Sequence, residues 1–252
     1  LKEIAFFVYQ NFLKQTIRHY RILITKKTPA SGKGLTIAFL GQDGAGKSTI
    51  TTEIEKWLSW KMDVKRFYLG SGDHYHSWQR TIQEKLPDRK GFILTLISAM
   101  LSLSKYKKLA KYVLKTIKQA DNYKDRGGVA LFDRYPQTKY PGINDGPKIR
   151  KLLKKTNNPL MERIINAYAN QEEKYLMNAE STNPDLVFKL MLPIEESLRR
   201  KPQESWEAIE HKHNIVIGLE YPESKVFEID ATMDYTQEMI LIKNIIWQNI
   251  QK

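Results

Sequence analysis

Five short apolar runs alternate with longer amphipathic segments from Leu35 onward. These runs are LTIAFL from Leu35, VKRFYLG from Val64, GVALFD from Gly128, DLVFKLML from Asp185 and KVFEID from Lys225. Most are apolar nearly throughout, which is typical of strands that are covered by helices on both faces. Helical segments between successive strands favour crossover connections in a single sheet. The pattern therefore predicts an α/β fold with a parallel, doubly wound sheet.

The first 34 residues have a different pattern. Residues 1–27 mix apolar and basic side chains and predict an amphipathic helix, and TPASGKG at 28–34 predicts a linker. The apolar stripe contains Ile4, Phe7, Val8, Phe12, Leu13 and Ile17. We expect it to pack on the core of the same chain or on a second copy in a homodimer, because a membrane-surface helix needs a cleaner polar face. The chain thus divides into an extension, 1–34, and a domain, 35–252.

Composition narrows the classes of protein. The absence of cysteine excludes disulfides and a thiol nucleophile, and fits a reducing compartment such as the cytoplasm. No apolar run reaches the roughly 18 to 20 residues of a membrane span, so GFILTLISAMLSLS from Gly91 is predicted to be a buried helix. The net charge of +13 predicts attraction to nucleotides, nucleic acid or an acidic membrane, without choosing between them. The cluster KYKKLAKYVLKTIK from Lys105 is expected to be the solvated face of a helix.

The clearest motif follows the first predicted strand. GQDGAGKS fits the phosphate-binding loop G-x-x-x-x-G-K-[ST], with Gly41, Gly46, Lys47 and Ser48 at the fixed positions. Glycines let consecutive backbone N–H groups point at one phosphate, and the next helix adds the positive end of its dipole. In such loops the lysine reaches the β and γ phosphates and the hydroxyl binds Mg²⁺. The strand, loop and helix order predicts a Mg-nucleoside triphosphate site.

A Mg-nucleoside triphosphate site also needs an acidic residue that holds Mg²⁺ near the phosphate loop. GVALFDRYP supplies Asp133 at the end of another apolar strand, where it can hold Mg²⁺ together with Ser48. Arg134 follows directly and is expected near the same phosphates.

Several segments together resemble the thymidylate kinase family of P-loop nucleoside monophosphate kinases. FLGQDGAGKST, DRYP, PDLVFKLMLPIEESLRRK and FEIDATMDYTQEMI occur in the order and spacing of that family, from about Leu35 to the end. The resemblance implies a P-loop NTPase fold of three layers, with a five-stranded parallel sheet flanked by helices. It also implies transfer of the γ phosphate of Mg-ATP to dTMP, which gives dTDP.

The resemblance carries roles over to individual residues. Catalytic roles fall on Lys47, Asp133, Arg134 and Arg200, and Mg²⁺ ligation on Ser48 and Asp133. ATP contacts fall on Gly41, Gly44, Ala45, Gly46, Lys47, Ser48, Thr49, Arg200, Ala231 and Thr232. Acceptor contacts fall on Asp43, Arg134, Tyr135 and Thr138, and Asp43 matches the family acid that accepts a hydrogen bond from the sugar 3′-hydroxyl.

The acceptor end departs from the family pattern. YLGSGDHYHSW stands in place of the usual R-E-P-G, and the A-Y-Q that normally follows the D-R-Y motif is absent. Two alternatives therefore stay open. One is a P-loop kinase of another acceptor, such as a nucleoside, a sugar phosphate or a nucleic-acid end. The other is a regulatory, ATPase-like module that binds nucleic acid through its basic charge, although no motif argues strongly for nucleic acid.

Overall fold

The computed structural model describes residues 27–29, 32–69, 92–141 and 146–251. At residues 92–99 and 155 it describes the backbone alone. The predicted helix at 1–27 and the segment SGDHYHSW therefore lie almost entirely outside the described residues. Within them, the five predicted strands are all present. They are β1 (Leu35–Gly41), β2 (Val64–Tyr68), β3 (Val129–Asp133), β4 (Leu186–Met191) and β5 (Lys225–Asp230).

The strands form one parallel sheet in the order β2-β3-β1-β4-β5. Its helices are α1 (Lys47–Leu58), α2 (Phe92–Asp125), α3 (Pro159–Glu180), α4 (Ile194–Arg200), α5 (Trp206–Gly218) and α6 (Tyr235–Ile250), with a 3₁₀ helix at Ile149–Lys155. The prediction of a five-stranded parallel sheet flanked by helices is confirmed.

Side chains that alternate between the two faces of β1, the central strand, explain why helices cover both faces of the sheet and give three layers. Ile37 and Phe39 of β1 belong to a core shared with α1 and α6, whereas Ala38 and Leu40 belong to a core shared with α2, α3 and α5. Successive residues of a strand point to opposite faces, so a strand that is apolar throughout supplies both cores. Phe188 of β4 stacks on Phe39 with ring centroids 5.1 Å apart, which ties neighbouring strands together on one face.

The long helix α2 confirms the prediction of a solvated basic face. Val113 and Ile117 are buried against the sheet, whereas Lys108, Lys111 and Lys115 on the same helix are exposed. Among the described residues, no helix combines the length and the apolar character needed to cross a membrane.

The sheet register decides where chemistry can occur. Phe39 of β1 pairs with Asp133 of β3, and Tyr68 of β2 pairs with the same Asp133. Because all five strands are parallel, their carboxyl ends meet at one edge of the sheet, where ligands bind in open α/β folds. The loops that follow β1, β3, β4 and β5 therefore converge on one region.

Candidate functional site

The loop from Gly41 to Ser48 has an open anion-binding geometry. Gly44 and Gly46 have φ values of 89° and 83°, in the left-handed region that glycine adopts without strain. Gly46 is the N-cap of α1, no side chain caps that helix among the described residues, and its first turn contains no acidic residue. The N–H groups and the positive dipole end of α1 are therefore available to a phosphate.

Lys47 is held across this loop. Its ammonium donates to the carbonyl of Gln42 at 2.8 Å, and the residue is 7% exposed. Ala45 packs in the core below, whereas Thr49 is exposed on the first turn of α1. Lys47 thus lies within the loop whose bound phosphates it is expected to contact.

The metal-side pair predicted from sequence is brought together. The hydroxyl of Ser48 donates to Oδ2 of Asp133, although 85 positions separate the two residues. Asp133 is 8% exposed, and its Oδ1 has no hydrogen-bond partner among the described residues. A buried oxygen without a partner is costly, and hard oxygen ligands are what Mg²⁺ takes beside a nucleotide phosphate. Ser48 and Asp133 therefore fit Mg²⁺.

Asp43 faces two cations. Its Oδ2 accepts from the ammonium of Lys212 at 2.8 Å, and its Oδ1 accepts from the guanidinium of Arg134 at 3.3 Å. Its backbone carbonyl accepts from the hydroxyl of Ser197 in α4 at 3.0 Å. The carboxylate therefore points to a cationic side of the loop, which reaches from β3 to α5.

The pKa values of this cluster favour the charged forms. Burial raises the pKa of Asp43, but the hydrogen bond and charge of Lys212 together with the charges of Lys47 and Arg134 outweigh it, so the pKa falls below 3.8. For Lys212, burial opposes the charge, but the bonds to Asp43 and Glu204 raise its pKa above 10.5. The ammonium of Lys212 donates to Oε2 of Glu204 at 2.5 Å. Both pKa shifts thus favour the charged forms of Asp43 and Lys212.

Arg134 has an unusual backbone. Its φ of 86° is the positive value of a residue that is not glycine, and its N–H donates to the carbonyl of Phe39 at 3.0 Å. Such a conformation costs about 1–3 kcal/mol and persists where the surroundings enforce it, often at functional sites. From this position the guanidinium of Arg134 donates to Asp43.

Arg200 links two loops that sequence analysis placed near ATP. Its guanidinium donates to the carbonyls of Gly44 at 3.0 Å and Ala231 at 3.3 Å, and to Glu196 at 2.7 Å. The backbone N–H and hydroxyl of Thr232 both donate to Asp230 at 2.8 and 2.7 Å. Arg200, Gly44 and Ala231 are therefore neighbours, and Thr232 stabilises the turn after β5.

The structure shows the surroundings of two further residues that were predicted to contact the acceptor. Tyr135 is 1% exposed, packs edge-on against Phe132 and donates its hydroxyl to the carbonyl of Thr182. Burial raises its pKa far above the ordinary value. Thr138 donates its hydroxyl to Glu180 at the end of α3. Tyr135 is thus a core residue and the Thr138 hydroxyl pairs with Glu180, while acceptor contact by these two residues stays a prediction.

Several residues near the phosphate loop have no recognisable signal in the sequence. Gln42 is 2% exposed, donates to the carbonyl of Leu192 at 2.6 Å and pairs with Nδ1 of His213 at 2.8 Å. Glu238 of α6 is 6% exposed, its Oε1 has no partner among the described residues, and burial raises its pKa. Lys212 lies in the segment after Arg200, but its pairing with Asp43 across 169 positions has no sequence signal.

No family model matches the chain. It is similar to two uncharacterized ATP-binding proteins of Escherichia coli strain K12. YghS is 26% identical over 215 residues, covering 77% of this chain and 85% of that protein, and YghR is 24% identical over 213 residues, covering 80% and 82%.

The chain is also similar to solved structures of a deoxyadenosine kinase and a thymidylate kinase. Deoxyadenosine kinase from M. mycoides with bound dCTP matches with a TM-score of 0.47 and 20% identity, over 85% of this chain and 100% of that chain. Thymidylate kinase from Candida albicans matches with a TM-score of 0.43 and 17% identity, over 86% and 92%.

Proposed function

We propose that this protein transfers the γ phosphate of Mg-ATP to a nucleoside monophosphate, with dTMP as the leading acceptor. The observation that carries the proposal is the pairing of Ser48 with Asp133 beside the open phosphate loop. Two residues that neighbour each other only in the fold complete the protein part of a Mg-nucleotide site. The relatives YghS and YghR, which are named as ATP-binding proteins, support ATP as the donor.

The residues on each side of the loop suggest a division of labour. Lys47, the N-terminus of α1 and Arg200 would hold the triphosphate, with Arg200 anchored on the loop carbonyl of Gly44. Ser48 and Asp133 would hold Mg²⁺, which when bound neutralises phosphate charge. Arg134 and Lys212 would attract the acceptor phosphate, and Asp43 would accept a hydrogen bond from its sugar.

Phosphoryl transfer needs alignment and charge neutralisation more than covalent chemistry. An acceptor phosphate is already ionised near neutral pH, so no general base is obligatory. Arg134 and Lys212 both pair with Asp43, and Lys212 also pairs with Glu204, so an acceptor phosphate would share these two cations with two carboxylates.

The test is an acceptor screen with purified protein, Mg-ATP and a coupled readout of ADP release. We expect turnover on at least one common nucleoside monophosphate, highest on dTMP, and loss of nucleotide binding in Lys47→Ala. Lys56→Ala is the matched control, because Lys56 is an exposed lysine on the same helix. Absence of turnover on every nucleoside monophosphate, together with unchanged ATP binding by Lys47→Ala, would refute the proposal.

A second candidate is a P-loop kinase of another acceptor, which the missing R-E-P-G and A-Y-Q motifs favour. Including nucleosides, sugar phosphates and oligonucleotide ends in the same screen separates the two. Turnover on one of these far above all nucleoside monophosphates would select it.

A further inference from the structure

An aromatic groove lies at the far end of α1 from the phosphate loop. It has a cavity volume of about 440 Å³ and is lined by Trp57, Leu58, Trp60, Lys61, Met62, Asn244 and Trp247. The floor joins the core through Leu58 and Met62, and the walls come from the end of α1 and from α6. We call these seven residues the aromatic groove.

The rim of the aromatic groove exposes large apolar side chains. Trp60 is 77% exposed and Trp247 is 42% exposed. Ile240 is 54% exposed and lies seven positions before Trp247, hence on the same face of α6 as Asn244 and Trp247. Contiguous exposed apolar surface next to a cavity marks an interaction site rather than ordinary surface.

The chain itself reaches the groove at its first described residues. The N–H of Lys27 donates to the carbonyl of Lys61 at 2.8 Å, and Lys27 forms a parallel bridge with Met62. Lys61 and Met62 both line the groove. Lys27 therefore lies beside the groove, and 26 residues precede it in the sequence.

The preceding segment has the composition that such a groove would bind. It contains Ile4, Val8 and Phe12 at intervals of four residues, with further apolar residues between and after them. A tether that ends at the rim gives a local concentration on the order of millimolar, far above that of a separate partner. Lys61 and Lys243 add positive charge near the indoles, so an anionic membrane is the main competing occupant.

We propose that the aromatic groove is the intramolecular docking site of residues 1–26, whose apolar side chains cover Trp60 and Trp247. The extension then forms part of the kinase-like domain and closes its apolar surface. This inference does not depend on which acceptor the site uses.

Tryptophan quenching tests the docking directly. The chain has five tryptophans, so Trp78→Phe with Trp206→Phe leaves only the three of the groove as emitters. In this background Val8→Asp with Phe12→Asp should raise the acrylamide quenching constant about twofold, because large indole surfaces return to water. Gln10→Asp with Gln15→Asp adds the same charge at polar positions of the same segment and should leave quenching unchanged.

Three results would overturn the proposal. Equal quenching in the test and control variants means that residues 1–26 do not cover the groove. If the protein with unsubstituted residues 1–26 loses protection from quenching when it is diluted, the occupant of the groove is a second copy. Protection that appears only after addition of phosphatidylserine vesicles identifies a membrane.

A cross-link provides a second measurement that does not depend on introduced charges. Because the chain has no cysteine, any disulfide formed must join introduced residues. Phe12→Cys paired with Lys61→Cys or with Asn244→Cys should form a disulfide within one chain, whereas Phe12→Cys paired with Glu207→Cys on α5 should not. Failure of both groove pairs to cross-link, or cross-linking only between two chains, contradicts intramolecular docking.

Discussion

Replacing Asp43 with asparagine should separate acceptor use from ATP binding. The side chain keeps its size but loses the charge that faces Lys212 at 2.8 Å and Arg134 at 3.3 Å. A hydrogen bond from an acceptor hydroxyl contributes about 1.5–3 kcal/mol when it goes to a charged group and about 0.5–1.5 kcal/mol when it goes to a neutral oxygen such as that of asparagine. The kcat/KM for the acceptor should therefore fall about 5- to 12-fold, since the difference is about 1–1.5 kcal/mol and 1.4 kcal/mol is a factor of ten.

ATP affinity should respond in the opposite direction. Asp43 is close enough to Lys47 for the lysine to lower the pKa of the carboxyl, so its charge also opposes nearby phosphates. Neutralising it should leave the Kd for ATP unchanged or make it smaller. Steady-state kinetics with varied acceptor and equilibrium titration with a nonhydrolysable ATP analogue measure the two effects separately.

The stability of the variant should change little. The side chains of the two ion pairs are 24–40% exposed, and exposed pairs contribute about 0.2–1 kcal/mol each. Because the folded pKa of Asp43 lies below 3.8, this contribution is present above that pH and is lost as pH falls through the folded value. The difference in unfolding free energy between wild type and variant should thus shrink in acid.

The control is Asp125→Asn, an exposed acid at the end of α2, which should change neither constant. If Asp43→Asn weakens ATP binding and acceptor use by the same factor, the division of the loop into donor and acceptor sides is wrong.

Three further predictions concern the strained, the metal-side and the buried acidic residues. Arg134→Gly should be more stable than Arg134→Ala by about 1 kcal/mol in chemical denaturation, because only glycine adopts a φ of 86° without strain, while both lose acceptor turnover; equal stabilities would mean that no strain is stored there. Asp133→Asn should raise the Mg²⁺ concentration needed for half-maximal turnover, and an unchanged Mg²⁺ titration would remove Asp133 from the metal site. Burial raises the pKa of Glu238 above its ordinary value of 4.5, so the folded protein loses stability as the pH rises from 4.5 through the folded pKa. Glu238→Gln should therefore raise the melting temperature at about pH 7 and have little effect near pH 4.5. A difference in melting temperature that does not depend on pH would contradict this reasoning.

The strands and the phosphate loop could be predicted because their signals are local. An apolar run such as LTIAFL must be buried on both faces, and the glycines of GQDGAGKS have few other structural uses. The position of Asp133 beside the phosphate loop could also be predicted, because parallel strands place their carboxyl ends at one edge. The alternation of Val113 and Ile117 with exposed lysines likewise follows from helical periodicity within one segment.

The surroundings of individual side chains on the acceptor side could not be predicted in the same way. Tyr135 and Thr138 follow a recognisable motif, yet one is buried beside Phe132 and the other pairs with Glu180. Motif position fixes the backbone path but not the direction of each side chain, which depends on the packing of α3 and of the loops around it.

The sequence by itself determined the sheet, the phosphate loop and the pair of residues expected to hold Mg²⁺, because short-range periodicity and strand-end position encode them. Only the tertiary structure decided that Asp43 faces Lys212 and Arg134, and that the start of the described chain meets the aromatic groove at Lys61 and Met62. These contacts join residues between 34 and 169 positions apart. Contacts over such separations depend on how helices pack on the sheet, so a local pattern of residues does not predict them.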